Sequence, residues 1–210
     1  LVPKTMSTAR ILYGMYFGLT AIEVILLLFG GMNVFDSLIF SFGTAGTGGF
    51  ANYSASVGYF DSVYIDTVIT VFMILFGINF NLYYFLLLKD WRPVWKNEEL
   101  KTYLILILSS AMLITINMNH LYPNPFKAFR YAIFQVASII TTTGYATADF
   151  TGWPMFSQCM LMFLMLVGAC ASSTGGGMKV SRVMMMVKCV KREIMQMAHP
   201  KSVSIIRMNG

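Results

Sequence analysis

The sequence predicts an all-α integral membrane protein made of two similar halves, each with two membrane helices and a shorter apolar helix between them. Hydrophobic residues make up 57% of the chain, charged residues only 11%, and the mean hydropathy is +0.66, whereas a soluble domain carries about 25% charged residues. Two loops rich in Gly and Thr follow the two shorter helices at matching places. Internal repeats of this kind are typical of membrane transport folds.

The first half begins with Ile11–Gly30, an apolar run long enough for one membrane crossing. Glu23 lies inside it, and an acid at that depth usually faces protein or water; a helix–helix hydrogen bond and a cavity-lining role both stay open. The next apolar run, Asn33–Gly43, is too short to cross, because about 11 helical residues span only about 16 Å. Asn33 or Asp36 can cap this helix. We expect it to be re-entrant and to point its C-terminal end, which favours a cation, at an ion.

A second crossing is predicted over Tyr64–Leu88, after a polar external turn at Tyr53–Asp61. Because this apolar run has 25 residues, we expect one tilted helix. Asn79 and Asn81 are its polar residues, and interhelical hydrogen bonds are their favoured role. The charged, Trp-containing stretch Lys89–Glu99 reads as an interfacial loop.

The second half repeats this order but ends in a broken helix. Leu100–Met118 predicts the third crossing, and Pro125–Ile140 predicts the second short helix, with proline near its start, where it is tolerated. The fourth crossing begins with the apolar run Met155–Cys170, is interrupted at Ala171–Gly177, and resumes at Val180–Val190. Unwound backbone at membrane depth is tolerated only where it is buried in protein or lines a water-filled path. We therefore expect the interruption to border a conduction route; a flexible kink between packed helices is the alternative.

The distribution of positive charge sets the topology. Thirteen of the 15 Lys and Arg residues lie before the first crossing, between the second and third, or after the glycine-rich interruption, and only Lys127 and Arg130 lie elsewhere. The positive-inside rule places the 13 in the cytoplasm, together with the N-terminus of this chain. That arrangement requires both short helices to enter and leave the membrane on the outer side. Asp36, Asp61 and Asp149 would then concentrate cations at an outer mouth, unless they are ordinary solvated acids.

The loops that follow the short helices share a pattern. TGGF at Thr47–Phe50 aligns with TTGY at Thr142–Tyr145, so that Gly49 and Gly144 lie 95 residues apart. A potassium-selectivity filter needs this composition, because its extended backbone must turn the carbonyl groups one way to replace the ion's hydration shell. Glycine tolerates the backbone angles that this requires.

Other classes of function find little support. An enzyme needs a cluster of catalytic residues, but His120 at an outer boundary and His199 in the C-terminal tail share no site, so we expect no enzyme. Cys159, Cys170 and Cys189 have no CxxC spacing, and small buried residues are their favoured role. The clustered basic residues suit orientation in a bilayer rather than nucleic-acid binding.

Two alternatives to a selective pore stay open. In a non-conducting structural subunit, the Thr- and Gly-containing loops would only pack against their neighbours. In a K⁺ symporter coupled to H⁺ or Na⁺, a buried acid would be needed, and Glu23 is the only candidate that the sequence offers.

Several longer motifs carry a family resemblance. They are TGGF at Thr47–Phe50, ILFGINFNLYYF at Ile74–Phe85, FQVASIITTTGYATADF at Phe134–Phe150, STGGGMKVSRV at Ser173–Val183, and REIMQMAHPKSV after it. Nearly end to end, the chain resembles the TrkH/KtrB family of membrane subunits of bacterial potassium uptake systems. The resemblance implies four membrane–pore–membrane repeats with re-entrant pore helices around one pore. This chain would be a fragment with the second repeat (residues 1–95) and the third (residues 96–210), whose last membrane helix is broken by a Gly-rich loop.

The resemblance also implies a site. The selectivity filter, with K⁺ as its ion, would comprise Thr47, Gly48, Gly49, Thr142, Thr143 and Gly144. The gating loop, which obstructs the pore beneath the filter and moves on opening, would comprise Ala171, Ser172, Ser173, Thr174, Gly175, Gly176 and Gly177. Because the two filter sequences, TGGF and TTGY, depart from a strict TVGYG pattern, the resemblance does not imply tight discrimination of K⁺ from Na⁺.

The implied partners are the remaining repeats of the same polypeptide, a second copy in a homodimer, and a cytosolic nucleotide-binding ring similar to TrkA. The ring would dock on the basic segments Lys89–Lys101 and Lys188–Lys201. The implied location is the bacterial inner membrane, and we expect no cofactor besides the transported K⁺. Two repeats leave a filter incomplete, so we expect this chain alone not to conduct.

Overall fold

The regular structure of the protein is helical in the part of the chain that the computed structural model describes, residues 2–198. In chain order the helices are α1 (Val2–Phe29), α2 (Val34–Ala45), α3 (Val63–Phe76), α4 (Phe80–Leu87), α5 (Arg92–Lys96), α6 (Glu98–Asn117), α7 (Pro125–Ile140), α8 (Met155–Val167) and α9 (Val180–Ala198). Short 3₁₀ turns at Ser56–Phe60 and Phe150–Gly152 lie in the loops after α2 and α7. The predicted all-α class is confirmed for these residues.

Within residues 2–198, two single helices are long and apolar enough to cross a membrane, and a third span results if α3 and α4 are counted as one bent crossing. The two single helices are Ala9–Phe29 within α1 and Glu98–Asn117, which is α6, so the helices predicted over Ile11–Gly30 and Leu100–Met118 are confirmed. Their outer faces expose large apolar side chains such as Phe17 and Ile105, which is the surface that lipid requires.

The predicted continuous helix over Tyr64–Leu88 is wrong. The run is divided into α3 and α4, which are bent by 92° at Gly77–Asn79. Asn79 does not bond to a neighbouring helix as expected; its side chain accepts the backbone N–H of Asn81 and caps α4. The bend leaves the carbonyl oxygens of Phe76 and Gly77 free to accept bonds from another part of the chain.

The two short helices match the prediction closely. α7 covers the predicted range Pro125–Ile140, and α2 ends two residues beyond the predicted Gly43. Each begins at an asparagine cap, because the Asn33 side chain accepts the N–H of Asp36 and the Asn124 side chain accepts the N–H of Phe126. Their last residues, Ala45 and Ile140, lie 95 positions apart, so the helices end at equivalent places in the repeat.

The fourth apolar run is interrupted as predicted. α8 ends at Val167 rather than Cys170, because Gly168 takes a left-handed backbone (φ 75°). α9 begins at Val180, as expected, and continues to Ala198. The residues between these helices are irregular and contain Ala171–Gly177, hereafter the glycine-rich segment.

The core consists of two apolar clusters that interlock. The first joins α1, α2 and α3 through residues such as Leu27, Phe40 and Phe76. The second joins α6, α7 and α8 through residues such as Ile107 and Leu164. Tyr145, from the loop after α7, is fully buried in the first cluster rather than the second. The halves are therefore packed as one body.

We predict that Gly77→Ala destabilises the protein through a clash at the α3–α4 bend. A Cβ at Gly77 would lie 2.2 Å from the Tyr103 hydroxyl oxygen and 3.0 Å from Thr141 Cγ2, and overpacking of this kind costs about 1–3 kcal/mol. Tyr103→Phe, which removes the clashing oxygen, should restore part of the loss in the double variant. Thermal unfolding of the detergent-solubilised full-length protein measures both effects.

Gly18→Ala is the control, because a Cβ at Gly18 meets nothing within 4 Å, and because alanine favours the interior of α1 over glycine, the unfolding temperature should stay the same or rise slightly. Equal unfolding temperatures for Gly77→Ala and the parent would contradict the tight packing at the bend.

Candidate functional site

The two loops after α2 and α7 have the same hydrogen-bond pattern. Four backbone N–H groups in each loop donate to carbonyl oxygens in the last turn of the preceding helix, at positions that lie 95 residues apart in the two loops. In the first loop, the N–H groups of Gly46, Thr47, Gly48 and Gly49 donate to the carbonyls of Phe42, Thr44, Gly43 and Gly43, respectively. In the second loop, the N–H groups of Thr141, Thr142, Thr143 and Gly144 donate to the carbonyls of Ala137, Ile139, Ser138 and Ser138. Each loop therefore folds as a local unit determined by its own residues.

The backbone angles of the loops also repeat. Thr47 and Thr142 have φ values of 48° and 61°, and Gly49 and Gly144 have φ values of 64° and 90°. Left-handed backbone is unfavourable for a β-branched residue such as threonine. Left-handed residues at alternate positions allow neighbouring carbonyl groups to point the same way, whereas a regular strand turns them to opposite sides.

The structure brings the two loops into contact. A Cβ on Gly49 would lie 2.0 Å from the carbonyl oxygen of Thr143, so that only glycine fits at this place. Tyr145 stabilises the contact between the two loops, because its hydroxyl donates to the carbonyl oxygens of Phe40 at 3.0 Å and Phe50 at 3.3 Å. The predicted filter residues thus lie together, although the ion-binding role of Thr47, Gly48, Gly49, Thr142, Thr143 and Gly144 stays a prediction.

Buried hydroxyl groups fix the shape of the second loop. The Ser138 hydroxyl donates to the carbonyl oxygen of Tyr145 at 2.6 Å, and the Thr141 and Thr143 hydroxyl oxygens lie 2.8 Å apart. Sequence reasoning missed these supports and the anchor role of Tyr145. The aromatic position in TTGY was a usable signal for the anchor, since a buried tyrosine needs a partner for its hydroxyl.

The acids expected at an outer mouth have different environments. Asp36 is buried and accepts hydrogen bonds from the Asn33 and Asn52 amides and, at 2.9 Å, from the Tyr53 hydroxyl. Its expected solvent-facing role is therefore wrong, because three neighbouring donors satisfy this carboxylate inside the protein.

Asp61 and Asp149 are the exposed acids of that group. Asp61 lies 4.0 Å from Arg130, which also pairs with the buried Asp66 at 3.4 Å. Hydrogen bonds from the hydroxyl and N–H of Thr151 hold the pKa of Asp149 below its ordinary value, so this carboxylate is charged at neutral pH.

The glycine-rich segment contacts both loops. The Thr47 hydroxyl donates to the carbonyl oxygen of Thr174 at 3.0 Å, and the Gly176 N–H donates to the Thr142 hydroxyl at 2.7 Å. A Cβ on Gly175 would lie 3.0 Å from the Thr141 carbonyl oxygen, and one on Gly176 would lie 3.0 Å from the Thr142 hydroxyl oxygen. The glycines allow the segment to lie directly against the loop backbone.

The same segment, together with Cys170 just before it, fills the bend between α3 and α4. The Cys170 N–H donates to the Gly77 carbonyl at 3.1 Å, and the Phe80 N–H donates to the Ser172 carbonyl at 3.1 Å. The Thr174 hydroxyl donates to the Phe76 carbonyl at 3.3 Å. Sequence reasoning found the interruption of the fourth apolar run but missed the interruption of the second, for which glycine and asparagine in GINFN were the signal.

Buried acids are more numerous than expected. Glu23 is not the only one, because Asp36, Asp66 and Glu99 are also buried. Neither carboxyl oxygen of Glu23 has a hydrogen-bond partner in the described part of the chain. The neighbouring Thr44 hydroxyl donates to the Phe40 carbonyl at 2.8 Å instead, and both roles expected for Glu23, the helix–helix hydrogen bond and the lining of a cavity, stay predictions.

The cysteines match expectation only in part. Cys170 is buried, whereas Cys159 and Cys189 are exposed, and none of the three forms a disulfide. The described residues hold no group of three or more His, Cys, Asp or Glu side chains that could bind a metal ion.

The basic segments lie at the ends of helices. Lys188 on α9 forms an ion pair with Glu98 at the start of α6. His199, Lys201 and Arg207 lie outside the described residues, so the end of the expected docking segment Lys188–Lys201 does too.

Comparison with known proteins identifies the family of this chain. The sequence model of the TrkH family, described as "Cation transport protein", matches residues 1–210. The chain belongs to the TrkH family. It is 34% identical over 215 residues to the Trk system potassium uptake protein TrkH of Vibrio parahaemolyticus, a match that covers 100% of this chain and 44% of the relative. The corresponding TrkH of Escherichia coli K12 is 34% identical over 211 residues, with 99% and 44% covered.

A solved structure agrees. The crystal structure of the potassium transporter TrkH from Vibrio parahaemolyticus matches with a TM-score of 0.94 at 33% identity, covering 100% of this chain and 46% of that one. The resemblance found in the sequence is therefore confirmed, and the protein is a membrane protein. The chain spans less than half the length of the TrkH relatives that it matches, and their names describe transport proteins rather than enzymes.

We predict that Tyr145→Phe weakens the link between the two halves. It removes the hydroxyl that bonds Phe40 and Phe50 while keeping the buried ring, so the expected loss is about 0.5–1.5 kcal/mol of unfolding free energy. Denaturant or thermal unfolding of the full-length TrkH protein measures it.

Tyr64→Phe is the matched control, because its hydroxyl bonds the Leu26 carbonyl at an exposed position and should contribute less. A larger loss for Tyr64→Phe than for Tyr145→Phe would contradict the anchor role.

Proposed function

We propose that this chain is part of a K⁺-translocating membrane subunit in which the ion passes down its electrochemical gradient through backbone-carbonyl filter loops. The observation that carries the proposal is the repetition, 95 residues apart, of the loop hydrogen bonds and of the left-handed positions at Thr47, Gly49, Thr142 and Gly144. The names of the TrkH relatives, potassium uptake proteins, support K⁺ as the ion.

The filter would act through main-chain oxygens. Each loop offers carbonyl groups that take the place of water around a monovalent cation, and the fixed hydrogen bonds hold the loop in that shape without an ion. α2 and α7 contain 12 and 16 residues, lengths of about 18 and 24 Å that fall short of a roughly 30 Å bilayer core. These lengths support re-entrant helices whose C-terminal ends carry partial negative charge toward the ion.

A complete pore requires more than this chain. The two loops would supply two quarters of the filter, from repeats at residues 1–95 and 96–210. The TrkH relatives are more than twice as long as this chain, which leaves room for two further repeats. We therefore propose that the fragment alone does not conduct.

The glycine-rich segment would be the gate. It would comprise Ala171, Ser172, Ser173, Thr174, Gly175, Gly176 and Gly177. The bonds of this segment to Thr47 and Thr142 hold it against the filter loops, where it would obstruct the pore. Glycine backbone has few steric barriers to rearrangement, so a small motion could open the path. In this proposal K⁺ is the cargo and there is no resident cofactor.

Charge asymmetry supports an orientation. With both short helices re-entrant, the basic clusters lie on the cytoplasmic side of the bacterial inner membrane, as does the N-terminus of this chain. A cytosolic TrkA-like nucleotide-binding ring would dock on Lys89–Lys101 and Lys188–Lys201, and the full subunit would form a homodimer. These partners follow from the family resemblance.

One observation favours a second candidate, a K⁺ symporter coupled to H⁺. Glu23 is fully buried beside α2, near the Thr44 hydroxyl, and could carry a proton. This candidate requires a K⁺ flux that a proton gradient can drive, whereas a passive pore reverses at the K⁺ equilibrium potential.

We predict that Gly144→Ser impairs conduction. A Cβ at Gly144 meets nothing within 4 Å, but φ is 90°, so the substitution strains the backbone by about 1–2 kcal/mol and displaces the carbonyls rather than causing a clash. We expect Rb⁺ uptake by the full-length protein to fall about tenfold, together with a changed Na⁺/K⁺ preference.

Gly152→Ser is the control, since Gly152 also has open space around it but has an ordinary φ and lies outside the loops. Unchanged flux and unchanged ion preference in Gly144→Ser would argue against the filter.

We also predict that deleting one glycine from Gly175–Gly177 raises the leak conductance of the full-length protein several-fold. The shorter segment cannot reach both Thr47 and Thr142, so the closed position loses bonds. Patch recordings without the regulatory ring measure the leak, and the Na⁺/K⁺ permeability ratio serves as the folding control because the filter is intact. A leak equal to that of the parent would remove the gate from the proposal.

A further inference from the structure

Glu99 is a buried carboxylate that neither the filter nor the gate described above requires. It lies in the first turn of α6, only 4% of its surface is exposed, and its Oε1 accepts the N–H of Ala171 at 2.6 Å. Ala171 is the first residue of the glycine-rich segment. A single side chain from a membrane-spanning helix therefore holds the start of that segment.

The bond from Glu99 differs in kind from the other bonds to the segment. The contacts with Thr47, Thr142 and Phe80 join neutral hydroxyl and backbone groups. A carboxylate acceptor makes a shorter bond that is roughly twice as strong. If the segment moved away, the carboxylate would stay buried without this donor, which disfavours that movement. The Lys179 ammonium donates to the Gly175 carbonyl at the other end, so charged groups bracket the segment.

We propose that Glu99 is the latch that positions the glycine-rich segment in its closed conformation. The inference rests on the proposed gate for its effect on conduction, but not for its effect on the segment itself. Glu99 acts through the Ala171 N–H and touches no ion, so it is a positioning residue.

A general role in stabilising α6 is the competing explanation, because acids are favourable in the first turn of any helix. Glu98 separates the two explanations. It has the same charge in the same turn, but it pairs with Lys188 on α9 and its side chain is more exposed. Glu98→Ala therefore removes a helix-terminal charge without touching the segment.

The test uses hydrogen–deuterium exchange of the full-length protein, followed in the peptide that covers residues 168–177. We expect Glu99→Ala to raise exchange there on the order of tenfold. Glu99→Gln, which keeps an oxygen acceptor and nearly the same volume, should fall between Glu99→Ala and the parent, and Glu98→Ala should match the parent. Open probability should rise in the same order, with single-channel conductance and the Na⁺/K⁺ ratio unchanged.

The outcomes are distinguishable. Exchange that is unchanged in both Glu99 variants, or raised equally by Glu98→Ala, overturns the latch. Exchange that rises while open probability stays constant supports the latch and shows that the segment is not the gate, so the proposed function fails there instead. If the Glu99→Ala protein does not fold, Glu99→Gln is compared with the parent instead. Equal exchange in these two proteins again overturns the latch.

Discussion

The structure depends on one constraint, which is that irregular backbone inside a bilayer has no water to bond with and must find its partners within the protein. Four irregular stretches in the apolar part of the described residues, namely the two loops, the α3–α4 bend and the glycine-rich segment, form one connected set. The segment bonds Thr47 and Thr142 in the loops and Phe76 and Phe80 at the bend. The bonds of each loop to its own helix fix its local shape, and the bonds between the stretches satisfy further groups that a single stretch would leave without a partner.

This mutual bonding explains where glycine is indispensable. Backbone can bond to backbone across separate segments only if the two chains approach closely, and a Cβ at Gly49 would lie 2.0 Å from the carbonyl oxygen of Thr143 in the other loop. Gly144 shows the other use of glycine, since its surroundings are open but its φ is left-handed. The threonines at Thr47 and Thr142 accept left-handed angles despite their branched side chains. Their hydroxyls compensate by bonding the segment, which ties the strained positions to the rest of the set.

The sequence predicts the parts of this arrangement that local interactions determine. The short helices and their loops could be located because asparagine caps, helix-ending bonds and loop angles depend on residues within a few positions of each other, and these repeat after 95 residues. The bend between α3 and α4 could not be located in this way, because the hydropathy of Tyr64–Leu88 shows one unbroken apolar run. The bend is stabilised by Cys170, Ser172 and Thr174, which lie more than 90 positions away. Asp36 and Glu99 were misjudged for the same reason, since their burial depends on donors from other segments.

The hydroxyl groups of Thr47 and Thr142 belong to the proposed filter loops and also bond the glycine-rich segment. The Thr142 side chain cannot be moved without moving both the loop that would coordinate the ion and the Gly176 N–H that holds the segment. Thr47 makes the equivalent connection through Thr174 in the other half. In the proposed pore, displacement of the segment would remove one bond from each of two left-handed residues, Thr47 and Thr142, at once. The four backbone bonds of each loop to its own helix would remain, so that each loop would keep its shape while the two threonines lose their contact with the segment.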